Sequence, residues 1–229
     1  MKFSRFIMPF MWAVVVHADI VVDSDVPYAA QPTSAATVAL MIFSFLGLSL
    51  LIPPLIVQYQ IRNIGQCFMI ICVFLANFFT FINAVIWPNF SYADWWDGAV
   101  LCDIEAKLYW AIFTGVTCAT VCTTRRLALA IDPNNLTINT TRSDRMRATI
   151  EDFLICLTIP VIQICLHYVI QYNRYYVAAV IGCIASYDNS WPTIVINYIW
   201  PPLFSLLNCY YASKIDLLCL SCSANISES

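Results

Sequence analysis

The sequence predicts an all-α fold, a polytopic transmembrane helical bundle with five spans, and two observations carry that prediction. Five stretches contain no charged residue: Asp25 to Arg62, Arg62 to Asp94, Lys107 to Arg125, Asp152 to Arg174 and Asp188 to Lys214. Each is close to or above the ~20 apolar residues that a helix needs to cross a bilayer core. The composition, 61% hydrophobic and 11% charged, is far from the roughly 25% charged of a soluble domain. Function is therefore sought at the bilayer surfaces or in a cavity between helices, because lipid tolerates no open polar cleft. A net charge of -3 is too small to argue for nucleic acid, which is not expected as a partner.

The chain opens on Lys2 and Arg5 before an apolar run from Phe6 to Val16, with Val16-His17-Ala18 ahead of Asp19. That is the build of a secretory signal peptide over residues 1–18, followed by an extracellular segment over 19–34. An uncleaved apolar N-terminus is the alternative.

The membrane bundle is expected over residues 35–212. Span one covers about 35–57, with Ser34 as candidate N-cap and Pro53-Pro54 near its end, where proline kinks or frays a terminal turn. The short polar connection Gln58 to Gly65 makes spans one and two antiparallel neighbours. Span two runs over about 66–87, with Trp87 and Pro88 as interface anchor and stop. Span three occupies about 104–130. Asp103 and Lys107 at its head are four apart and are expected to pair on one face, and Glu105 is expected to be solvated or to pair with Lys107. Span four covers about 153–170 and span five about 192–211, with a tail over 213–229. No strand is expected.

Orientation follows the Lys and Arg residues. Arg62, Arg125, Arg126, Arg142, Arg145, Arg147 and Lys214 fall on one side, against Lys107 and Arg174 on the other. The first set is placed in the cytoplasm and the N-terminus outside, as expected for a multi-pass protein of the plasma membrane. Among the sequons, Asn89 is then the glycosylation candidate, whereas Asn135, Asn139 and Asn225 lie on the cytoplasmic side.

Of the eleven Cys, most fall inside predicted spans, where small apolar side chains need no other role. Only Cys102 and Cys183 face the oxidising compartment. A disulfide between them is expected, with two free thiols as the alternative. Cys219-Leu220-Ser221-Cys222 has the spacing of half a zinc site, but no second pair follows and no metal is expected. Tail palmitoylation and a plain apolar tail both stay open.

Catalysis finds no support. His17 falls in the signal segment, and His167 stands alone in span four, where a satisfied core imidazole is the ordinary role. There is no Gly-flanked nucleophile elbow and no paired intramembrane carboxylate. No phosphate-cradling loop is present and no cofactor is expected. A small-solute transporter is the rival to a receptor, because Ile52-Pro53-Pro54-Leu55 and Trp200-Pro201-Pro202-Leu203 read as broken helices at related positions. Five spans do not divide into halves, however, and both segments run in the same direction.

Several segments occur in a telling order: Arg62-Asn63-Ile64-Gly65, Phe81-Ile82-Asn83-Ala84-Val85-Ile86-Trp87, Cys102-Asp103-Ile104 with Lys107, and Arg125-Arg126-Leu127. Ile159-Pro160 with Gln163 and His167-Tyr168 follow, then Ile181-Gly182-Cys183. Together, from about residue 47 to 205, they resemble the fungal a-factor-type mating pheromone receptors. The resemblance implies a class D G-protein-coupled receptor with seven helices, an outside N-terminus and a farnesylated peptide pheromone as ligand. It implies ligand contacts at Asn83, Trp87, Asp94, Trp95, Trp96, Asp188 and Trp191, although an ordinary interfacial belt explains the aromatics equally. Arg125 and Arg126 are implied contacts for a heterotrimeric G protein, with a purely topological role as the alternative. After Tyr211 the likeness dissolves into Leu217-Leu218-Cys219-Leu220. The expectation is a chain truncated after its fifth helix, not competent to signal alone, that inserts in the bilayer and associates with other receptor copies.

Overall fold

The computed structural model describes residues 33–88, 96–131 and 142–227. The signal segment, the sequons at Asn89, Asn135 and Asn139, and the pair Asp94-Trp95 lie outside the described residues. Helix α1 is Ala35–Ile61, α2 is Ile64–Ile86, α3 is Ala99–Ile131 and α4 is Arg142–Ile170. A hairpin of β1 (Tyr176–Ala178) and β2 (Gly182–Ile184) precedes the fifth rod. That rod begins with the one-turn α5 (Trp191–Thr193), passes through a π-helical turn at Ile194–Tyr198, and continues as α6 (Trp200–Ser227).

Local chemistry sets the helix ends. Ser34 Oγ accepts from the Thr37 amide at 3.1 Å, capping α1. Arg62 closes α1 in the left-handed region with φ 60°, its amide bonded to the Gln58 and Tyr59 carbonyls, and Asn63 Oδ1 accepts from the Gln66 amide at 3.4 Å to open α2. One short link thus ends one helix and starts the next, which forces the antiparallel pair. Pro53 and Pro54 lie inside α1 and do not break it. The rest of the ladder carries the helix past the two missing N–H donors. The irregular backbone is instead the π-helical turn of the fifth rod.

Helix α3 is the mast of the bundle, packed against α2, α4 and α6. Its buried side is built from small residues, among them Cys102, Ala106, Ala111, Thr114, Gly115, Cys118, Ala119 and Cys122. Small side chains let helix axes approach closely where lipid supplies no hydrophobic drive for association. At Gly115 an added Cβ would stand 2.9 Å from Cys72 Sγ of α2. Helix α4 presents Asp152, Cys156, Pro160, Gln163, His167 and Ile170 inward, a helical repeat along one face. By contrast α1 buries only Thr37 and Ser44 and turns Phe43, Phe45, Leu50 and other large apolar residues outward.

Among the described residues four rods are long and apolar enough to cross a membrane by length and composition: Ala35–Ile61, Ile64–Ile86, Thr149–Ile170 and Trp191–Leu220. The span expected over 104–130 is not among them. At 33 residues α3 is ~50 Å long, but its enclosed position favours Thr, Cys, Gly and Ala over large aliphatic side chains. Helix α6 continues to Ser227 through the segment expected as a tail.

Three local expectations are corrected. Strands do form, because the hairpin satisfies its backbone groups internally while it lies across the end of the bundle. Asp103 pairs with Arg174 of the α4–β1 connection, Nε to Oδ1 at 2.8 Å, and Lys107 donates instead to the Tyr168 hydroxyl at 2.9 Å. Glu105 faces inward, 8% exposed, and meets neither solvent nor Lys107. Each follows from partners on other elements lying closer than the neighbour along the helix.

Candidate functional site

The bundle has two chemically distinct ends. At the hairpin end a disulfide joins Cys102 of α3 to Cys183 of β2, with Cα atoms 5.0 Å apart. Trp87, fully buried, packs on both cysteines. Its carbonyl accepts from the Val180 amide at 2.8 Å and its indole N–H donates to the Trp96 carbonyl at 3.2 Å, while the two indole rings stack at 6.3 Å. The β1–β2 turn is thus held to the end of α2 by covalent, polar and aromatic contacts together.

Asn83 is the polar centre of this end, 1% exposed. Its amide nitrogen donates to Glu105 Oε1 at 2.6 Å and to the Ile181 carbonyl at 2.9 Å. One side chain on α2 therefore ties α3 to the hairpin turn. Gly182, at φ +83°, lies directly over it, and a Cβ there would strike the Asn83 side chain. Hydrogen bonding to the Arg174 guanidinium holds the Asp103 carboxyl below its usual range at the rim.

Asn83 and Trp87 are thus brought together beneath the hairpin as internal supports, and Trp96, about half exposed, stacks on Trp87. Asp188 and Trp191 stand apart from this group. The Asp188 amide donates to the Ile170 carbonyl at 2.9 Å, its own carbonyl accepts from Thr193 Oγ1 at 2.7 Å, and its side chain is exposed. Trp191 is 75% exposed at the head of the fifth rod.

Between these groups Tyr187 turns inward from the loop. Its ring meets His167 at 5.7 Å and Trp110 at 6.4 Å, and Trp110 meets Tyr198 at 4.8 Å. Burial pushes the Tyr187 phenol up, and its hydroxyl has no hydrogen-bond partner among the described residues. Sequence reasoning passed over Trp110, Tyr187 and Tyr198. Their signal was an aromatic excess near the span heads that belt placement also explains.

At the opposite end Arg125 and Arg126 are held by α4. Arg126 Nε donates to Asp152 Oδ2, Arg125 Nη1 lies 3.6 Å from Asp152 Oδ1, and Arg125 Nη2 donates to Glu151 Oε2 at 2.9 Å. Asp152, 2% exposed, thus binds both guanidinium groups. Beside it a cleft of ≈ 660 Å³ opens between α3, α4 and α6, lined by Val121, Arg125, Glu151, Leu154, Phe204 and Tyr211 among others. Arg125 lines that cleft. Arg126 does not.

The Pheromone A receptor family, STE3, matches residues 39–222, through α1 to α6. The chain is 33% identical over 166 residues to the Pheromone B alpha 1 receptor of Schizophyllum commune, covering 72% of this chain and 25% of that protein. It is 28% identical over 185 residues to the Pheromone M-factor receptor of Schizosaccharomyces pombe (77% and 47%). To the Pheromone a factor receptor of Saccharomyces cerevisiae it is 26% identical over 170 residues (74% and 36%). The chain thus spans a quarter to just under half of the length of these relatives. No solved structure matches it.

Proposed function

Because the chain belongs to the Pheromone A receptor family, a family of membrane proteins, we propose that its hairpin end recognises a farnesylated peptide pheromone and its arginine end couples to a heterotrimeric G protein. The observation that carries this reading is the family match, which runs through both ends of the bundle and every helix between them. The a factor receptor of S. cerevisiae, the M-factor receptor of S. pombe and the S. commune receptors are all named for pheromones.

In this reading the hairpin end is extracellular, the arginine end is cytoplasmic and the protein resides in the plasma membrane. The disulfide limits the motion of the hairpin over the ligand entrance. Trp96 and Trp191 offer exposed rings to an apolar ligand, and Asp188 offers a carboxylate. Arg125, on the wall of the cleft, is the guanidinium that a G-protein segment reaches, while Arg126 holds α3 to α4. A ligand activates by stabilising one of two packings of the bundle through contacts it makes only there.

The test is binding by the purified chain in nanodiscs, with a synthetic farnesylated peptide and its non-prenylated twin. The prenylated form binds more tightly, since each buried CH₂ contributes ~0.8 kcal/mol. Equal affinity for the two, or movement of a solute across proteoliposomes without lipopeptide binding, overturns the reading. Glycosylation mapping tests orientation separately: modification at Asn135 or Asn139 with none at Asn89 inverts it.

A further inference from the structure

Eight buried side-chain polar atoms have no side-chain or backbone partner among the described residues, and four of them sit on four different elements beneath the hairpin, Trp110 Nε1, Gln163 Oε1, Tyr187 OH and Asn197 Nδ2; the others are Asn83 Oδ1, Glu105 Oε2, Thr114 Oγ1 and Arg126 Nη2. Buried polar atoms are almost always hydrogen-bonded, and each one left unpaired costs as much as a lost bond. Four in one region form a set that calls for a partner.

The helix registers place three of them in one layer. Cys118 of α3 meets the Ile155 carbonyl of α4 and packs on Phe204 of α6. Two turns toward the hairpin, Trp110 lies level with Gln163 of the antiparallel α4 and contacts Tyr198, the neighbour of Asn197. Tyr187 closes the layer from the loop, its ring against Trp110 and His167. Gln163 Nε2 donates to the Ile196 carbonyl at 2.9 Å, which settles the amide orientation and leaves Oε1 as the free acceptor.

A second observation coincides with the first. Asn197 and the Ile196 carbonyl belong to the π-helical turn Ile194–Tyr198, and such turns are rare and often sit at functional sites. The π turn frees backbone groups that an α-helix would pair internally, and Gln163 takes up one of them.

The free atoms define the ligand chemistry. Two N–H donors and a phenolic hydroxyl, with one carbonyl acceptor, complement a group that presents both a C=O and an N–H. Among the described residues the neighbouring charged side chains of α3 stand nearer the hairpin than Trp110: Lys107 donates to Tyr168, and Glu105 accepts from Asn83 with Oε1 while its Oε2 has no partner. We propose that Trp110, Gln163, Tyr187 and Asn197 form a buried subsite that reads a neutral amide of the ligand, a peptide unit rather than its prenyl chain. The inference rests on the farnesylated-peptide reading and assigns the peptide half of that ligand.

Two small probes test it on the full chain in nanodiscs. N-acetyl-S-farnesylcysteine methyl ester carries prenyl, ester and amide, and methyl 3-(farnesylthio)propanoate is the same molecule without the acetamido group. The wild-type chain binds the amide probe ~10–100-fold more tightly, the loss expected when a site built to hydrogen-bond a group meets an analogue without it. Gln163→Met and Asn197→Leu bring the ratio of the two affinities close to one, with circular dichroism and melting curves showing that each variant keeps the wild-type fold. Tyr187→Phe keeps the ring and removes only the hydroxyl, so it lowers the ratio without disturbing the packing. Equal binding of the two probes by the wild type, or an unchanged ratio in the folded variants, overturns the amide subsite while the prenyl reading stands. No binding of either probe overturns both.

Discussion

Asn83 and Glu105, on neighbouring helices and both nearly inaccessible, share a 2.6 Å hydrogen bond, and the same amide nitrogen reaches the Ile181 carbonyl of the hairpin turn. Asn83→Leu leaves a buried carboxyl and a backbone carbonyl without their donor. The expected cost is about 1–3 kcal/mol, the penalty for a buried group deprived of its partner. Faster hydrogen exchange at the β1–β2 amides, with α6 unchanged, is the accompanying signature. Unaltered exchange in the hairpin would show that Asn83 does not hold it.

Gly182 gives an independent probe of the same contact. Gly182→Ala meets strain at φ +83° and drives a methyl group into Asn83. A loss of about 1–3 kcal/mol in thermal or denaturant unfolding is expected. Combining it with Asn83→Ala recovers part of the loss, because the smaller side chain makes room. Strict additivity of the two substitutions would falsify the contact.

The Cys102–Cys183 bond closes 81 residues of sequence separation. Replacing both cysteines with Ser lowers stability by about 2–5 kcal/mol, and the hairpin loosens from α3. Peptide mapping under non-reducing conditions detects the bond directly; recovery of both thiols free from the folded chain would remove this prediction.

Arg125 and Arg126 separate on substitution by Lys. Arg126→Lys replaces the guanidinium that reaches the buried Asp152 and costs about 1–2 kcal/mol, a value held down by the partial exposure of Arg126. Arg125→Lys costs less than about 1 kcal/mol in stability, since its hydrogen-bonded partner Glu151 is on the surface and its approach to Asp152 is the longer one, 3.6 Å. Melting curves of the two variants in one detergent rank them, and an equal loss in both would contradict the division.

The rim pair Asp103–Arg174 makes the hairpin end acid-sensitive. The Asp103 carboxyl is lowered in the folded chain by its hydrogen bond to Arg174, so the pair contributes fully above the ordinary Asp value near 4. The contribution is lost as pH falls through the lower folded value. Hairpin protection measured by hydrogen exchange therefore drops below about pH 4 in the wild type. Asp103→Asn shows the weakened state already at neutral pH. A variant as protected as the wild type at neutral pH would sink the claim.

What the sequence by itself determined is the solvent each segment meets. Charge-free runs and helix-cap chemistry at Ser34 and Asn63 are local properties, and they place the helices and the tight α1–α2 link without knowledge of neighbours. The Lys and Arg bias singles out Cys102 and Cys183 as the pair on one side of the bilayer, whereas Asn83 and Trp87 stand out only through the family resemblance of the Phe81–Trp87 segment. Partner choice is not local. Asp103 and Lys107 are four apart on one helix, yet Arg174 and Tyr168 take them, because tertiary packing brings groups from 71 and 61 residues away into reach. Glu105 is buried for the same reason. Its neighbours in sequence suggest a solvated helix head, and only the crossing of α2 and the cover of the hairpin exclude water. The strands, the π-helical turn that aligns Asn197 and Ile196, and the capture of both arginines by Asp152 were likewise decided in three dimensions, where each backbone and charged group must find its partner inside the protein once lipid replaces water.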